Sequence, residues 1–105
     1  MAGKVTSEKV DEVSPSGEIH ETLFENDFVR VLKVDFEPGA GSAMHFHRSH
    51  LIFVIKPSEM RIVMPNGEVQ NLRQKEGEVR WFEEGSYGEE NVGTSPFQAI
   101  VTELK

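Results

Sequence analysis

The sequence has 105 residues, of which 18 are acidic and 11 are basic, so its formal net charge is −7. The length predicts one domain with a single core. The negative charge opposes binding to nucleic acid and to anionic membrane surfaces. The chain has no cysteine, which excludes disulfides, thiolate metal sites and cysteine nucleophiles, and any metal ion would need nitrogen and oxygen ligands.

The first residues, MAGKVTSEKVDEVSPSGE, lack the apolar run of a signal peptide, and no later segment approaches the roughly 18 apolar residues needed to cross a bilayer. We therefore expect a cytoplasmic protein with no membrane partner. Residues 1–16 mix Lys, Glu, Ser and Pro with scattered Val, which favours a flexible N-terminal arm or an edge strand. The domain proper is predicted to span residues 17–105, beginning near Gly17.

Short runs rich in Val, Ile and Phe follow, each ending at Gly, Pro or Asn. DFVRVLKVDF alternates, which predicts a strand with four apolar residues on one face: Phe28, Leu32, Val34 and Phe36. LIFVIK is a continuous apolar run and is typical of a strand buried on both faces. EMRIVMPNGEVQNLR predicts a hairpin with a type I′ turn at its Asn-Gly pair.

EVRWFEE and FQAIVTEL predict two more strands, which the Gly-rich segment GSYGEENVGTSP separates. The sequence shows no helical period of useful length. About eight short strands without helices predict an all-β fold, in which a closed or nearly closed barrel would remove the sheet edges.

Three of the four histidines lie in PGAGSAMHFHRSHLIFVIKP, residues 38–57. The i, i+2 spacing places His45 and His47 on one face of a strand, with Met44 and Phe46 on the other. A short turn then allows His50 to open the next strand, antiparallel to the first. Three imidazoles suit Zn, Cu, Fe or Ni and leave positions open for water or substrate. The alternative is that the His-x-His pair is two polar positions facing solvent.

This stretch, followed by GEVRWFEEGSYGEENVG, resembles the two signature motifs of the cupin superfamily, and the resemblance covers most of the chain, from about Val29 to Leu104. In the first motif a Gly is followed, after five residues, by His-x-His and then by a Glu. The Gly and the two histidines match at Gly39, His45 and His47. The resemblance implies a jelly-roll barrel, the double-stranded β-helix.

The Glu of the first cupin motif is missing. Either His50, which matches small cupins that carry a histidine there, or Leu51 stands at its place. With His50 at that place, the resemblance implies one divalent metal ion held by three histidines, a ligand set without the carboxylate that most cupins use. A neutral ligand set leaves the full charge of the ion to polarise a bound oxygen.

The second cupin motif matches at three positions, Gly77, Gly85 and Asn91. Glu83 stands where the motif has a proline, and the position of its histidine ligand falls on Tyr87 or on Gly88. As a ligand, Tyr87 would need its phenol, with a pKa near 10, to be deprotonated by the ion. Tyr87 otherwise acts as a hydrogen-bond donor or proton relay beside the substrate, or packs with its hydroxyl at the rim.

Arg30 is in phase with Leu32 and Val34. Its guanidinium either projects into the barrel, where a substrate carboxylate would pair with it, or extends outward into water. His20 matches no cupin motif position, and we expect it to be a surface or dimer-contact residue. Four large apolar residues at strand spacing are predicted to form core or cavity wall: Phe53, Met64, Trp81 and Phe82.

Two hypotheses for function follow from the resemblance. The first is a metal-dependent enzyme of dioxygenase, lyase or isomerase type, acting on a small oxygen-rich molecule in the barrel. One divalent ion (Fe, Zn, Mn, Ni or Cu) would act as Lewis acid or activate O₂, with Tyr87 and Arg30 as catalytic residues. The second is a non-catalytic cupin with a degenerate metal site that binds or senses a small molecule. Small cupins commonly pack their sheets together, so we also expect a homodimer.

Overall fold

The computed structural model describes residues 4–13 and 18–105, and this part of the chain contains β-strands and no helix. It therefore holds no helix long and apolar enough to cross a membrane. The prediction of an all-β fold is confirmed. The strands are β1 (Lys4–Val13), β2 (Glu18–Glu25), β3 (Val29–Phe36), β4 (Gly41–His47), β5 (His50–Lys56), β6 (Glu59–Val63), β7 (Val69–Arg73), β8 (Val79–Phe82), β9 (Gly85–Asn91) and β10 (Phe97–Leu104).

The strands form two antiparallel sheets. The larger has the order β1-β2-β3-β10-β5-β8, and the smaller has the order β4-β9-β6-β7. Strand β10 joins two parts of the chain that are far apart in sequence, because it pairs with β3 on one side and with β5 on the other. The chain therefore passes repeatedly from one sheet to the other.

Strand β1 lies at one edge of the larger sheet, where it pairs with β2. The predicted arm covers residues 1–16 and the predicted start of the domain is Gly17. Of these, residues 1–3 and 14–17 lie outside the described part of the chain.

The core lies between the two sheets. Strand β3 contributes Leu32, Val34 and Phe36, as its alternation predicts, and the Phe36 ring meets that of Phe97 edge to face with 6.3 Å between centroids. Phe28 was predicted on the same face, but it precedes the strand and is 61% exposed. The buried apolar set is Leu32, Val34, Phe36, Ala40, Val54, Met60, Phe97, Ala99 and Val101.

The prediction that LIFVIK is buried on both faces is wrong for this chain. Val54 is fully buried, whereas Leu51 is 41% exposed and Phe53 46% exposed on the opposite face of β5. Their cross-strand neighbours on β8, Trp81 and Val79, are exposed as well, so Trp81 and Phe53 do not belong to the core. Because alternate residues of a strand face opposite sides, these four side chains form an apolar patch on the outer surface.

Strand β9 lies in the segment that the sequence presents as a Gly-rich connection. Glycine favours turns, but β9 has a neighbour on each side, β4 and β6, and both pair with its backbone. At Gly88 a Cβ atom would stand 3.2 Å from the main-chain nitrogen of Met44 and from the carbonyl oxygen of Ser42. The glycine therefore permits β4 to approach closely.

The turn between β6 and β7 also differs from its predicted type. The amide of Gly67 donates to the carbonyl of Met64, so the central residues of the turn are Pro65 and Asn66. Proline fixes φ near −65° and suits a type I turn, which Gly67 completes with a φ of +88°. The hairpin itself is as predicted.

Candidate functional site

Three strands bring the histidine cluster together. His45 and His47 lie on β4, where they pair in register with Tyr87 and Gly85 of β9. His50 begins β5, which belongs to the other sheet, so the predicted antiparallel pairing of these two strands does not occur. The chain instead crosses between the sheets at residues 48–49, and this crossing turns His50 toward His47.

The rings of this cluster lie in close contact. The ring centroids of His45 and His47 are 4.1 Å apart, and those of His47 and His50 are 6.2 Å apart. His47 is stacked on Tyr87, with 3.7 Å between centroids and 5° between planes. On the other side, His50 stacks on Phe82 at 5.3 Å. The cluster is thus a continuous layer of rings from β4 through β9 to β5 and β8.

Main-chain carbonyls set the tautomer of each histidine. Nδ1 of His45 donates to the carbonyl of Ala43 at 2.8 Å, and Nδ1 of His50 donates to that of Arg48 at 2.6 Å. In His47 the donor is Nε2, which bonds the carbonyl of Tyr87 at 3.0 Å. A carbonyl only accepts, so in each neutral ring the other nitrogen carries the lone pair. That nitrogen is Nε2 in His45 and His50 and Nδ1 in His47.

Two further properties define the chemistry of the cluster. Burial lowers the pKa of His47 to about 4, and the neighbouring His45 contributes a smaller part of this shift. The ring of His47 is therefore neutral at neutral pH. The hydroxyl of Tyr87 lies 3.3 Å from Nε2 of His50 and donates to the lone pair there. The phenol is therefore in position to exchange a proton with His50 or with a molecule bound beside the two side chains.

The cluster lines a cavity of about 310 Å³ between the sheets. Arg30 lines the same cavity, where its Nη2 donates to Thr22 Oγ1 at 3.3 Å and its Nη1 lies 3.9 Å from Glu103 Oε1. Of the two orientations that the sequence leaves open, the guanidinium thus takes the inward one. The ion pair is long and its side chains are 35% and 22% exposed, so this contact by itself is weak.

Sequence reasoning missed four polar residues of this cavity: His20, Arg48, Glu89 and Glu103. His20 was predicted at the surface or in a dimer contact. It lies opposite Val34 in the β2–β3 ladder, and because directly opposite residues share a face of the sheet, its side chain faces the cavity as Val34 does. The register of that ladder was the missing information.

The donor chemistry of the cluster suits a divalent metal ion. Three imidazoles, each with one nitrogen bonded to a carbonyl and the other able to offer a lone pair when the ring is neutral, are what such ions require of histidine ligands. Throughout the described part of the chain, however, no three His, Cys, Asp or Glu side chains form a group that could hold an ion as they now stand. Binding through His45, His47 and His50, with or without Tyr87, remains a prediction.

Comparisons with known proteins identify the fold. No family model and no curated protein matches the sequence. Solved structures match closely in shape, among them a cupin domain from Bordetella pertussis Tohama I at 21% identity and a TM-score of 0.78, covering 85% of this chain and 94% of that one. An uncharacterised protein with a double-stranded β-helix domain from Klebsiella pneumoniae matches at 24% identity and a TM-score of 0.69, with coverages of 87% and 79%.

The polyketide cyclase RemF from Streptomyces resistomycificus also matches, at 19% identity and a TM-score of 0.71, covering 99% of this chain and 80% of that one. At such identities the likeness concerns the fold alone. It agrees with the two facing antiparallel sheets and with the motifs around the histidines and Tyr87. The chain therefore has the double-stranded β-helix fold of the cupin superfamily, as the resemblance of its two motifs implies.

Proposed function

We propose that this protein is a metal-dependent cupin enzyme that binds a small oxygen-rich molecule in the histidine cavity. One divalent ion would be held by His45, His47 and His50. The observation that carries the proposal is the anchoring of one nitrogen of each ring to a main-chain carbonyl, which leaves the lone pair of the other nitrogen for an ion. When bound, the ion supplies Lewis acidity, which its neutral ligands do not reduce.

The residues around the histidines would bind and orient the substrate. The guanidinium of Arg30 faces the cavity beside Glu103, and an incoming carboxylate would form a shorter and better-shielded pair with it than the present 3.9 Å contact. The Tyr87 hydroxyl would hold or move a proton at the substrate, because it already donates to His50 at 3.3 Å. Phe36 and Phe97, which also line the cavity, exclude water at its inner end.

The role of Tyr87 is open to a direct test. Its hydroxyl donates to the same lone pair of His50 that an ion would use. If Tyr87 stays outside the ligand set, Tyr87→Phe removes this competition and metal affinity rises by about fivefold, the equivalent of one ordinary hydrogen bond. If the phenolate is itself a ligand, the same variant binds metal more weakly.

Metal content and metal titration test the proposal as a whole. Protein produced in metal-replete medium should contain close to one divalent ion per chain, and calorimetric titration of the apoprotein with Zn²⁺ and Mn²⁺ should show one site. His45→Ala combined with His47→Ala should abolish binding while the circular dichroism spectrum is unchanged. His20→Ala is the matched control, since it removes a histidine from the same cavity without touching the ligand set.

A second function is favoured by one observation. Because no three potential ligands within the described residues form a metal group, a non-catalytic cupin that binds a small molecule without metal also fits the cavity. Tyr87→His separates the two functions, since it restores the four-ligand pattern of the cupin motifs. A gain in metal affinity favours the enzyme, and the absence of metal from both forms contradicts it.

A further inference from the structure

Three polar side chains form a row across the larger sheet at the mouth of the histidine cavity. In this polar row, Glu103 of β10 lies directly opposite Arg30 on one side and directly opposite His50 on the other. Directly opposite residues of antiparallel strands share a face, and all three side chains line the cavity. This end of the cavity is its mouth, because the exposed residues His45 and Arg48 line it as well.

Behind the polar row the inner face of the sheet is apolar. Two residues further along the strands, Val101 lies opposite Leu32 and Ile52, and this apolar row also lines the cavity. A step of two residues along a strand is about 7 Å. Phe36 and Phe97 line the inner end. The cavity thus joins a polar mouth to an apolar interior, which suits a ligand with a polar head and a hydrocarbon body.

The carboxylate of Glu103 is a hydrogen-bond acceptor that faces the cavity. Its Oε1 lies 3.9 Å from Nη1 of Arg30, which is beyond hydrogen-bonding distance, and no residue of the described chain donates to either of its oxygens. The side chain is only 22% exposed. Because an ionised carboxylate accepts hydrogen bonds and cannot donate them, Glu103 suits a ligand group that carries a donor, such as a hydroxyl.

Arg30 supplies the complementary donor beside it. Its Nη2 donates to Oγ1 of the buried Thr22 at 3.3 Å, and its planar guanidinium matches the geometry of a carboxylate. Two carboxylates, Glu89 and Glu103, line the cavity and oppose an anion, but Arg30 and Arg48 balance their formal charges. A ligand hydroxyl that donates to Glu103 also places its hydrogen between the two negative groups. A carboxylate with a neighbouring hydroxyl therefore satisfies both side chains at once.

From this arrangement we propose that the histidine cavity takes 2-hydroxy carboxylic acids with a hydrocarbon side chain. The carboxylate pairs with Arg30, the hydroxyl donates to Glu103, and the hydrocarbon part packs against the apolar row. The hydroxyl-bearing carbon then lies beside His50, the next residue of the polar row. This inference names the substrate class of the function proposed above and rests on it, but the contacts with Arg30 and Glu103 need no metal ion.

Mandelate and phenylacetate form the test pair, because they differ only in the hydroxyl group next to the carboxylate. In calorimetric titration of the intact protein, the better-bound enantiomer of mandelate should bind about tenfold more tightly than phenylacetate, the equivalent of one hydrogen bond to a charged acceptor. The uncharged 1-phenyl-1,2-ethanediol should bind at least about tenfold more weakly than mandelate, since it offers Arg30 no carboxylate.

Glu103→Leu separates the two contacts. It should bring the affinities for mandelate and phenylacetate within about twofold of each other, and it should raise the affinity for phenylacetate, because a carboxylate that competes for Arg30 is removed. Arg30→Gln should weaken the binding of both acids about tenfold or more.

Thr102→Val is the matched control and should bind both acids as the wild type does. Thr102 belongs to the same strand as Glu103, but it lies opposite the exposed Leu51 on the outer face of the sheet. Circular dichroism and urea unfolding show whether each variant folds. If Glu103→Leu does not fold, Glu103→Gln keeps the size of the side chain and should reduce the preference for mandelate to about threefold.

Three results would overturn the inference: no saturable binding of mandelate, a preference for mandelate that survives in Glu103→Leu, or diol binding as tight as that of mandelate. Titrations repeated after treatment with a chelator separate it from the metal-dependent function. A preference that depends on Glu103 in protein that holds no ion supports the inference and contradicts only the metal proposal. A preference that disappears with the metal and is insensitive to Glu103 assigns the hydroxyl to the ion, which contradicts the inference and leaves the metal-dependent function standing.

Discussion

Asn91 holds three segments of the chain together through its side chain, and its replacement should destabilise the fold strongly. The residue ends β9 and is fully buried. Its Oδ1 accepts from Ser58 Oγ at 2.8 Å and from the amide of Gly93 at 2.9 Å. Its Nδ2 donates to the carbonyls of Phe36 and Ser95, both at 2.9 Å. One side chain thus satisfies every hydrogen-bonding position of its amide.

Asn91→Ala removes these four bonds at once. At about 1 kcal/mol net for each bond, the expected loss in the free energy of unfolding is about 4 kcal/mol. The buried carbonyl of Phe36 and amide of Gly93 would lack partners unless water enters. For a domain whose total stability is about 5–15 kcal/mol, this is a large share, equivalent to a fall in Tm of about 16–32 °C.

Urea unfolding, followed by circular dichroism and by the fluorescence of Trp81, measures this loss. Asn71→Ala, at an exposed position of β7, is the matched control and should change stability by no more than about 0.5 kcal/mol. An m-value equal to that of the wild type would show that the two transitions are comparable. A loss below about 1 kcal/mol for Asn91→Ala would refute the reasoning, because the four bonds would then contribute almost nothing.

Two further predictions concern pH and close packing. The pKa of His47 is about 4 in the folded chain against 6.5 when unfolded, so the unfolded state binds more protons between these values and stability falls as pH decreases through them. Solvent partly screens this ring, so the free energy of unfolding, measured with urea, should fall by about 1 kcal/mol between pH 7 and pH 5. If His47→Asn shows the same fall, His47 is not its cause and the prediction is wrong. Gly41→Ala would place a Cβ atom 2.5 Å from the carbonyl oxygen of Glu89 and should cost about 1–3 kcal/mol, whereas Gly85→Ala meets nothing within 4 Å. Thermal unfolding compares the two glycine variants, and equal melting temperatures would show that β4 and β9 are not so closely packed.

Patterns within a single strand allowed much of the fold and part of the site to be predicted. Alternation identifies the buried face of β3, and the i, i+2 spacing brings His45 and His47 to one cavity. The resemblance to the first cupin motif offered His50 or Leu51 as the next ligand position, and the ring centroid of His50 lies 6.2 Å from that of His47 although their strands belong to different sheets. Such local patterns need no knowledge of which strands pair.

Features that depend on pairing between distant strands were not predictable. His20 enters the cavity only because of its register opposite Val34, and β9 is a strand only because two neighbours satisfy its backbone. Gln74 resembles an ordinary surface glutamine in the sequence, and only the closure of β7 over the interior buries it. The homodimer, the cytoplasmic location and the bound metal stay predictions.

The position of β10 between β3 and β5 has a consequence for how the protein is made. Neither β3 nor β5 has its central partner until residues 97–104 have left the ribosome. Until then the apolar segment LIFVIK of β5 lacks one of its two hydrogen-bonding neighbours, because only β8 can pair with it. Pairings between such distant residues also close slowly. Nascent chains of this protein should therefore depend on chaperones, and truncation before β10 should yield aggregates rather than a smaller folded domain.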